Sequence, residues 1–309
     1  MFSYIALILT QAGSSGKQFA MKKCGEIAPG PFNSICINLA RALICLAVSI
    51  IIWFLTDGST TTFTGHIIII ISGIGTALNL FTWILSTRIV SLVLLESVCM
   101  IGSLILPMIL APYLYDGDSV SLLQWIGCVL VFVSVILFMN KGNGETKEGT
   151  PLQKITIVFL CASGITLTSI FKKYYTYYIS DKGLGTIEYF TLINFVTVVA
   201  FFAILFIIYY FREKKHLDSS LDKGEKAKVE LPYKKVWRYI LMAAVSLYVT
   251  ELFMVYSARL PSAIYYPLSR GLTVGCSFLL DVVVFKDKVT LKKLVGLFTV
   301  ISAIILVNL

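Results

Sequence analysis

Long apolar runs, such as positions 67–71 and 126–139, alternate along the chain with short polar joints. A helix needs about 20 apolar residues to cross a hydrocarbon layer of about 30 Å. A segment in that layer must also satisfy its own backbone hydrogen bonds, which a helix does and an open sheet does not. The pattern therefore predicts ten helical spans, at 2–21, 32–55, 66–86, 90–112, 121–140, 153–172, 186–211, 236–257, 262–285 and 290–308. The first run lacks a basic leader, and positions 13–23 do not read as a small-residue cleavage site, so it is a span and not a signal peptide. Tyr174, Tyr175, Tyr177 and Tyr178 follow Lys172 and Lys173, an arrangement expected at headgroup level, and they predict the end of span six.

Composition agrees with repeated crossing. Of 309 residues, 57% are hydrophobic and 14% charged, with a mean hydropathy of +0.85, whereas soluble domains carry about 25% charged residues. An ordinary soluble fold is excluded. The net charge of +9 does not point to nucleic acid, because the basic residues sit in connections between spans and form no aromatic-interleaved basic domain. The seven cysteines are scattered, with no CxxC pair, and there are two histidines. Neither a disulfide framework nor a metal site is expected, and the cysteines read as small packing residues.

The basic residues instead report topology. Connections leaving spans one, three, five, seven and nine hold 19 Lys and Arg residues, nine of them in the polar loop 212–238, and the opposite set holds four: Lys172, Lys173, Lys182 and Arg259. The positive-inside rule places the richer set in the cytoplasm and both termini outside.

An internal repeat runs through the chain. The stretch opening at Asp118 and closing at Gly127 matches Asp287 to Gly296 in Asp, Val, Leu and Gly at one offset. Upstream, Ser86, Arg88 and Ser91 answer Ser257, Arg259 and Ser262; Ile37 and Asn38 answer Ile193 and Asn194; Lys22 and Lys23 answer Lys172 and Lys173. The order is kept across all four matches. The predicted organisation is a first five-helix repeat over 1–141, a linker over 142–152 and a second five-helix repeat over 153–309. Because five is odd, the second half enters the membrane from the opposite side. The expected fold class is all-α integral membrane, with ten transmembrane helices as two inverted five-helix repeats, and carriers of that design place substrate near the midplane between the halves.

These residues resemble the ten-helix carriers of the drug/metabolite transporter superfamily, of the EamA type, over nearly the whole chain. Gly13-Ser14-Ser15-Gly16 looks like that family's small-residue first helix, and Ala40-Arg41-Ala42 like its second-helix Arg. Leu95-Glu96-Ser97 resembles its acidic-Pro step with Ser in place of Pro, while Tyr265-Tyr266-Pro267 keeps the Pro and loses the acid. The Asp118 and Asp287 stretches are similar to its entry to the fifth helix. The resemblance implies a carrier, and also cytoplasmic termini, opposite to the charge count.

Ionisable groups at membrane depth are functional candidates by default. Arg41 has two readings: a bidentate anchor for an anionic substrate group, or a structural partner of Glu96. Glu96 and Glu251 are the acids deepest in their spans, with Glu188 and Asp281 nearer span ends; either they exchange a proton, or they form static pairs, Glu96 with Arg41 and Glu251 with Arg270. Lys17 reads as a snorkelling residue near the end of span one. Asn38 and Asn194, matched between the halves, can bond substrate or neighbouring helices. Asn79, Trp83, Tyr248, Tyr265 and Tyr266 are candidates for a cavity with aromatic faces and polar tips. No hydrolase elbow, Walker sequence or HExxH motif occurs, so neither an enzyme nor ATP coupling is expected, and no cofactor or metal is called for.

The leading expectation is a secondary transporter in the plasma (inner) membrane, moving a small polar metabolite by alternating access, proton-coupled or by exchange. Its partners are a small-molecule substrate and the lipid bilayer, with a homodimer admitted and nucleic acid excluded. Two other readings stand beside it. One is a flippase for a lipid or lipid-linked sugar, which needs a lateral opening and a tail-sized groove. The other is a non-transporting scaffold or receptor that docks through loop 212–238.

Overall fold

The computed structural model describes residues 2–28, 31–56, 58–89, 101–115, 120–138, 151–221, 233–283 and 291–307. Among these the chain is all helical: α1 (Phe2–Ile27), α2 (Pro31–Leu55), α3 (Phe63–Ile89), α4 (Leu106–Leu114, preceded by a π turn Ile101–Ile105), α5 (Leu122–Phe138), α6 (Pro151–Tyr175, continued by a π turn Thr176–Ser180), α7 (Ile187–Leu221), α8 (Tyr233–Ser257), α9 (Ser262–Val283) and α10 (Leu291–Val307). Five apolar stretches are long enough to cross a membrane: Phe32–Leu55, Phe63–Thr82, Ile155–Ser180, Ile187–Arg212 and Lys235–Ser257. The predicted acid Glu96 and the repeat residues Asp118 and Asp287 lie outside the described residues.

Local chemistry sets the helix starts. Pro31 and Pro151 stand at the first positions of α2 and α6, where the missing N–H has no intrahelical partner to lose. At α5 a reciprocal cap forms: the Ser121 amide donates to Gln124 Oε1 at 2.9 Å and the Gln124 amide to Ser121 Oγ at 3.3 Å. Thr186 Oγ1 likewise accepts from the Tyr189 amide at 3.3 Å at the start of α7.

The packing joins the first part of the chain to the second. α1 lies along α8, α3 along α6, α2 along α7, and α5 along α10. Two crossings are close enough to exclude a side chain. A Cβ placed on Gly13 of α1 would meet Ser246 O at 2.9 Å and Thr250 N at 3.2 Å on α8. One placed on Gly164 of α6 would meet Gly75 O and Asn79 N on α3, both at 2.8 Å. The two crossings correspond residue by residue, since Gly164 follows Gly13 by 151 positions while Ser246 and Thr250 follow Gly75 and Asn79 by 171.

Outward faces are apolar. Leu43, Ile51 and Phe54 on α2, Ile67, Ile70 and Ile74 on α3, and Phe298, Ile301 and Ile305 on α10 are all exposed at helical spacing. Soluble monomers rarely leave such stripes uncovered, whereas a hydrocarbon layer accepts them.

The structure corrects four readings. The polar loop expected over 212–238 is helical at both ends, because α7 continues past the apolar run to Leu221 and α8 begins at Tyr233. α6 does not end at a headgroup layer after residue 172: it runs on through Ser180, so Lys172 and Lys173 are buried, at 0% and 3% exposure, and Tyr175 is fully buried. Lys173 Nζ donates to Leu260 O at 2.6 Å and Ala258 O at 3.4 Å, neutralising carbonyls just beyond the end of α8. Of the four basic residues assigned to the poorer set of connections, only Lys182 and Arg259 therefore remain exposed. α1 is also longer than expected, reaching Ile27, which leaves Lys17 about three turns short of its end and unable to snorkel from a terminus.

Candidate functional site

A cavity of about 160 Å³ opens between α1, α2, α3, α6, α8 and α9, and Asn79 and Thr250, one residue from each glycine crossing, line it. Each helix supplies one stripe. On α1 the lining residues Thr10, Ser14, Lys17 and Met21 recur at steps of four, three and four, the spacing that keeps side chains on one helix face. On α8 the wall is Thr250, Glu251 and Met254, and on α9 it is Ser269, Arg270 and Thr273.

Much of the lining is hydrogen-bonded within the protein. Gln11 Nε2 donates to Ser269 Oγ at 2.8 Å while Thr273 Oγ1 donates to Gln11 Oε1 at 2.6 Å, tying α1 to α9. Thr10, Thr168 and Thr250 each donate to a carbonyl four residues back, at 2.8, 2.9 and 2.7 Å. Their hydroxyl protons are committed, and their oxygens remain as acceptors.

The charges are unevenly partnered. Lys172 Nζ bonds Glu251 Oε2, with both side chains buried, so the carboxylate on the wall already faces a cation. Arg41 on α2 is 2% exposed, it lines the cavity, and its Nε has no hydrogen-bond partner. Among the described residues no carboxylate lies within ion-pair distance of Arg41 or Lys17.

The cavity brings together four of the predicted site residues: Arg41, Asn79, Glu251 and Arg270. It does not bring in the others. Asn38 and Asn194 are buried on the adjoining helices α2 and α7, each with one side-chain atom lacking a hydrogen-bond partner, Oδ1 and Nδ2 respectively. Tyr248 stacks on Phe195 with centroids 6.0 Å apart, in the core between α2, α3, α7 and α8. Tyr265 and Tyr266 pack edge to face at 4.9 Å in the core between α4, α5, α9 and α10. Trp83 falls on α3 and Asp281 on α9, their side chains outside the described residues. Glu188 accepts from Tyr256 Oη at 2.5 Å, away from the cavity. Glu251 pairs with Lys172, not with Arg270.

Sequence reasoning missed Gln11, Ser269, Thr273 and the role of Lys172. A signal for α1 was present in the polar residues Thr10, Ser14 and Lys17, which share one face of an otherwise apolar run.

No known protein family matches the chain, and no curated protein matches it. Solved structures do: one, described only as "Crystal structure of protein", superimposes with a TM-score of 0.68 over 99% of this chain and 94% of that one, at 13% sequence identity. The likeness extends over the whole fold. At that identity it speaks for the fold alone.

Proposed function

We propose that the protein is a secondary carrier of the EamA type, a multi-pass protein of the plasma (inner) membrane. It moves a small polar metabolite through the cavity by alternating access. The observation that carries this reading is the pairing of the cavity walls. With the offsets of the two glycine crossings, Ser14 corresponds to Ile165, Lys17 to Thr168, Asn79 to Thr250 and Leu80 to Glu251, and every one of these residues lines the cavity. A cavity built from equivalent positions lies on the relation between two halves, where inverted-repeat carriers hold substrate. The same correspondence supports two inverted five-helix repeats and ten crossings.

The pairs are equivalent in place but not in chemistry. Leu80 answers Glu251 and Thr168 answers Lys17, so each charge on these positions belongs to one member of its pair. The size of the cavity supports a small substrate. A space of about 160 Å³ suits a compact metabolite. The protein's orientation follows the charge count, with the 212–238 segment in the cytoplasm.

The test is uptake. Purified full-length protein reconstituted into liposomes is incubated with a cell metabolite extract, and the trapped solutes are identified by mass spectrometry. Saturable accumulation of a small solute, absent from protein-free liposomes, is expected. Scrambling of labelled lipid without solute flux would favour the flippase, and partner capture through loop 212–238 without either would favour the scaffold.

A further inference from the structure

Two cations of the cavity wall have no carboxylate within ion-pair distance among the described residues. Lys17 and Arg41 both line it, neither has an ion-pair partner among the described residues, and the carboxylate of Glu251 is engaged by Lys172. Arg41 is almost wholly buried and its Nε is unsatisfied. An uncompensated buried charge is costly, and a guanidinium offers donors in a planar fork that fits carboxylate or phosphate. Among the described residues nothing supplies that pairing, and a ligand that did would be an anion.

The hydroxyls define the rest of the ligand. Thr10 and Thr250 donate to their own helices, so toward the cavity they present acceptor oxygens, which suit a ligand that brings O–H donors of its own. We propose that the site takes a small hydroxylated anion, a hydroxycarboxylate or a phosphate ester of a short polyol, with its charged group at Arg41 and Lys17 and its hydroxyls toward Thr10 and Thr250. This rests on the carrier reading for its biological meaning, though not for the binding itself.

Thermal unfolding of the detergent-purified full-length protein, at fixed sodium chloride concentration, tests it with glycerate, glycerol 3-phosphate, inorganic phosphate, glycerol and ethanolamine as probes. The two hydroxylated anions are expected to stabilise at concentrations roughly tenfold or more below those needed for glycerol or ethanolamine, with inorganic phosphate between. Lys17→Gln is expected to raise the half-saturating concentration of glycerol 3-phosphate roughly tenfold, and Arg41→Lys, which keeps the charge but loses the fork, to raise it by a smaller factor. Equal responses to glycerol and to the anions, or unchanged anion affinity in both variants, would overturn the proposal.

A lipid headgroup shares the anion's chemistry, so the measurement is repeated in nanodiscs of phosphatidylcholine and of phosphatidylglycerol. Responses to glycerol 3-phosphate that survive in phosphatidylglycerol support a soluble ligand, and their abolition there overturns it. Liposome flux separates the two claims. Anion binding without flux leaves the site and removes the carrier, whereas flux of a neutral solute without anion binding leaves the carrier and removes the anion.

Discussion

Lys172 on α6 and Glu251 on α8 form an ion pair at the edge of the cavity, 79 residues apart in sequence, with side-chain exposures of 0% and 8%. Lys172 also approaches Met254 Sδ at 3.5 Å, so the ammonium is held against α8 by more than one atom. The pair links two helices of the second part of the chain.

Removing one member leaves the other buried and uncompensated. Lys172→Met and Glu251→Gln are each expected to destabilise the protein by about 3–5 kcal/mol, with the double variant recovering most of that loss. The exposed pair Arg259 and Asp181, 3.0 Å apart with both side chains 41% exposed, serves as the contrast, since Asp181→Asn should cost less than about 1 kcal/mol. Unfolding of the purified variants in detergent measures all four. An additive loss in the Lys172 and Glu251 double variant would show that the pair is not the source of the effect.

The glycine crossings make a second prediction. Gly164→Ala puts a methyl 2.8 Å from backbone atoms of Gly75 and Asn79, so α3 and α6 must part, at a cost of about 1–3 kcal/mol. Gly13→Ala is expected to act in the same way on α1 and α8. Gly275, with nothing within 4 Å of an added Cβ, is the control: Gly275→Ala should be neutral or stabilising by up to about 1 kcal/mol through helix propensity. Comparable losses at all three positions would argue against the crossings as the cause.

The helices were legible because a hydrocarbon-length apolar run bounded by Pro, Ser or Lys leaves few other solutions. α2 and α8 begin and end within a few residues of the spans read from hydropathy. The site was legible only in part. Arg41, Asn79, Glu251 and Arg270 stood out as polar residues in apolar runs. Lys172 was misread because a Lys pair followed by tyrosines imitates an interfacial belt, and only the fold reveals that Glu251 waits for it across the helix pair. Tyr248 and Tyr265 were drawn to the site by their polar tips, yet their rings have neighbours enough to be core. Gln11 gains meaning from Ser269 and Thr273, more than 250 residues distant, a relation that no local pattern encodes.

Proton coupling is a separate proposal, resting on Glu251 at the cavity wall and on Glu96 in the sequence. Gln removes the titratable proton and nearly keeps the shape. Uptake by Glu251→Gln is expected to lose the pH dependence shown by the wild-type protein in the same liposomes. If neither Glu251→Gln nor Glu96→Gln alters the profile, coupling through these acids is to be abandoned.

Orientation follows from charge. With Lys172 and Lys173 buried, Lys182 and Arg259 are the exposed basic residues of the poorer set, against a sequence count of 19 in the richer set, and the positive-inside asymmetry keeps its direction. Nine of the 19 lie in the segment 212–238, expected as a loop but continued as helix through Leu221 at one end and from Tyr233 at the other, and that segment is therefore the place to test it. Ser219→Cys, in a background from which the seven native cysteines have been replaced, should resist an impermeant maleimide in intact cells and react after permeabilisation. Labelling in intact cells would put this loop outside and both termini in the cytoplasm. The burial of Lys172 and Lys173 would still stand, because it comes from their contacts with Glu251 and Leu260 and not from the side of the membrane they face.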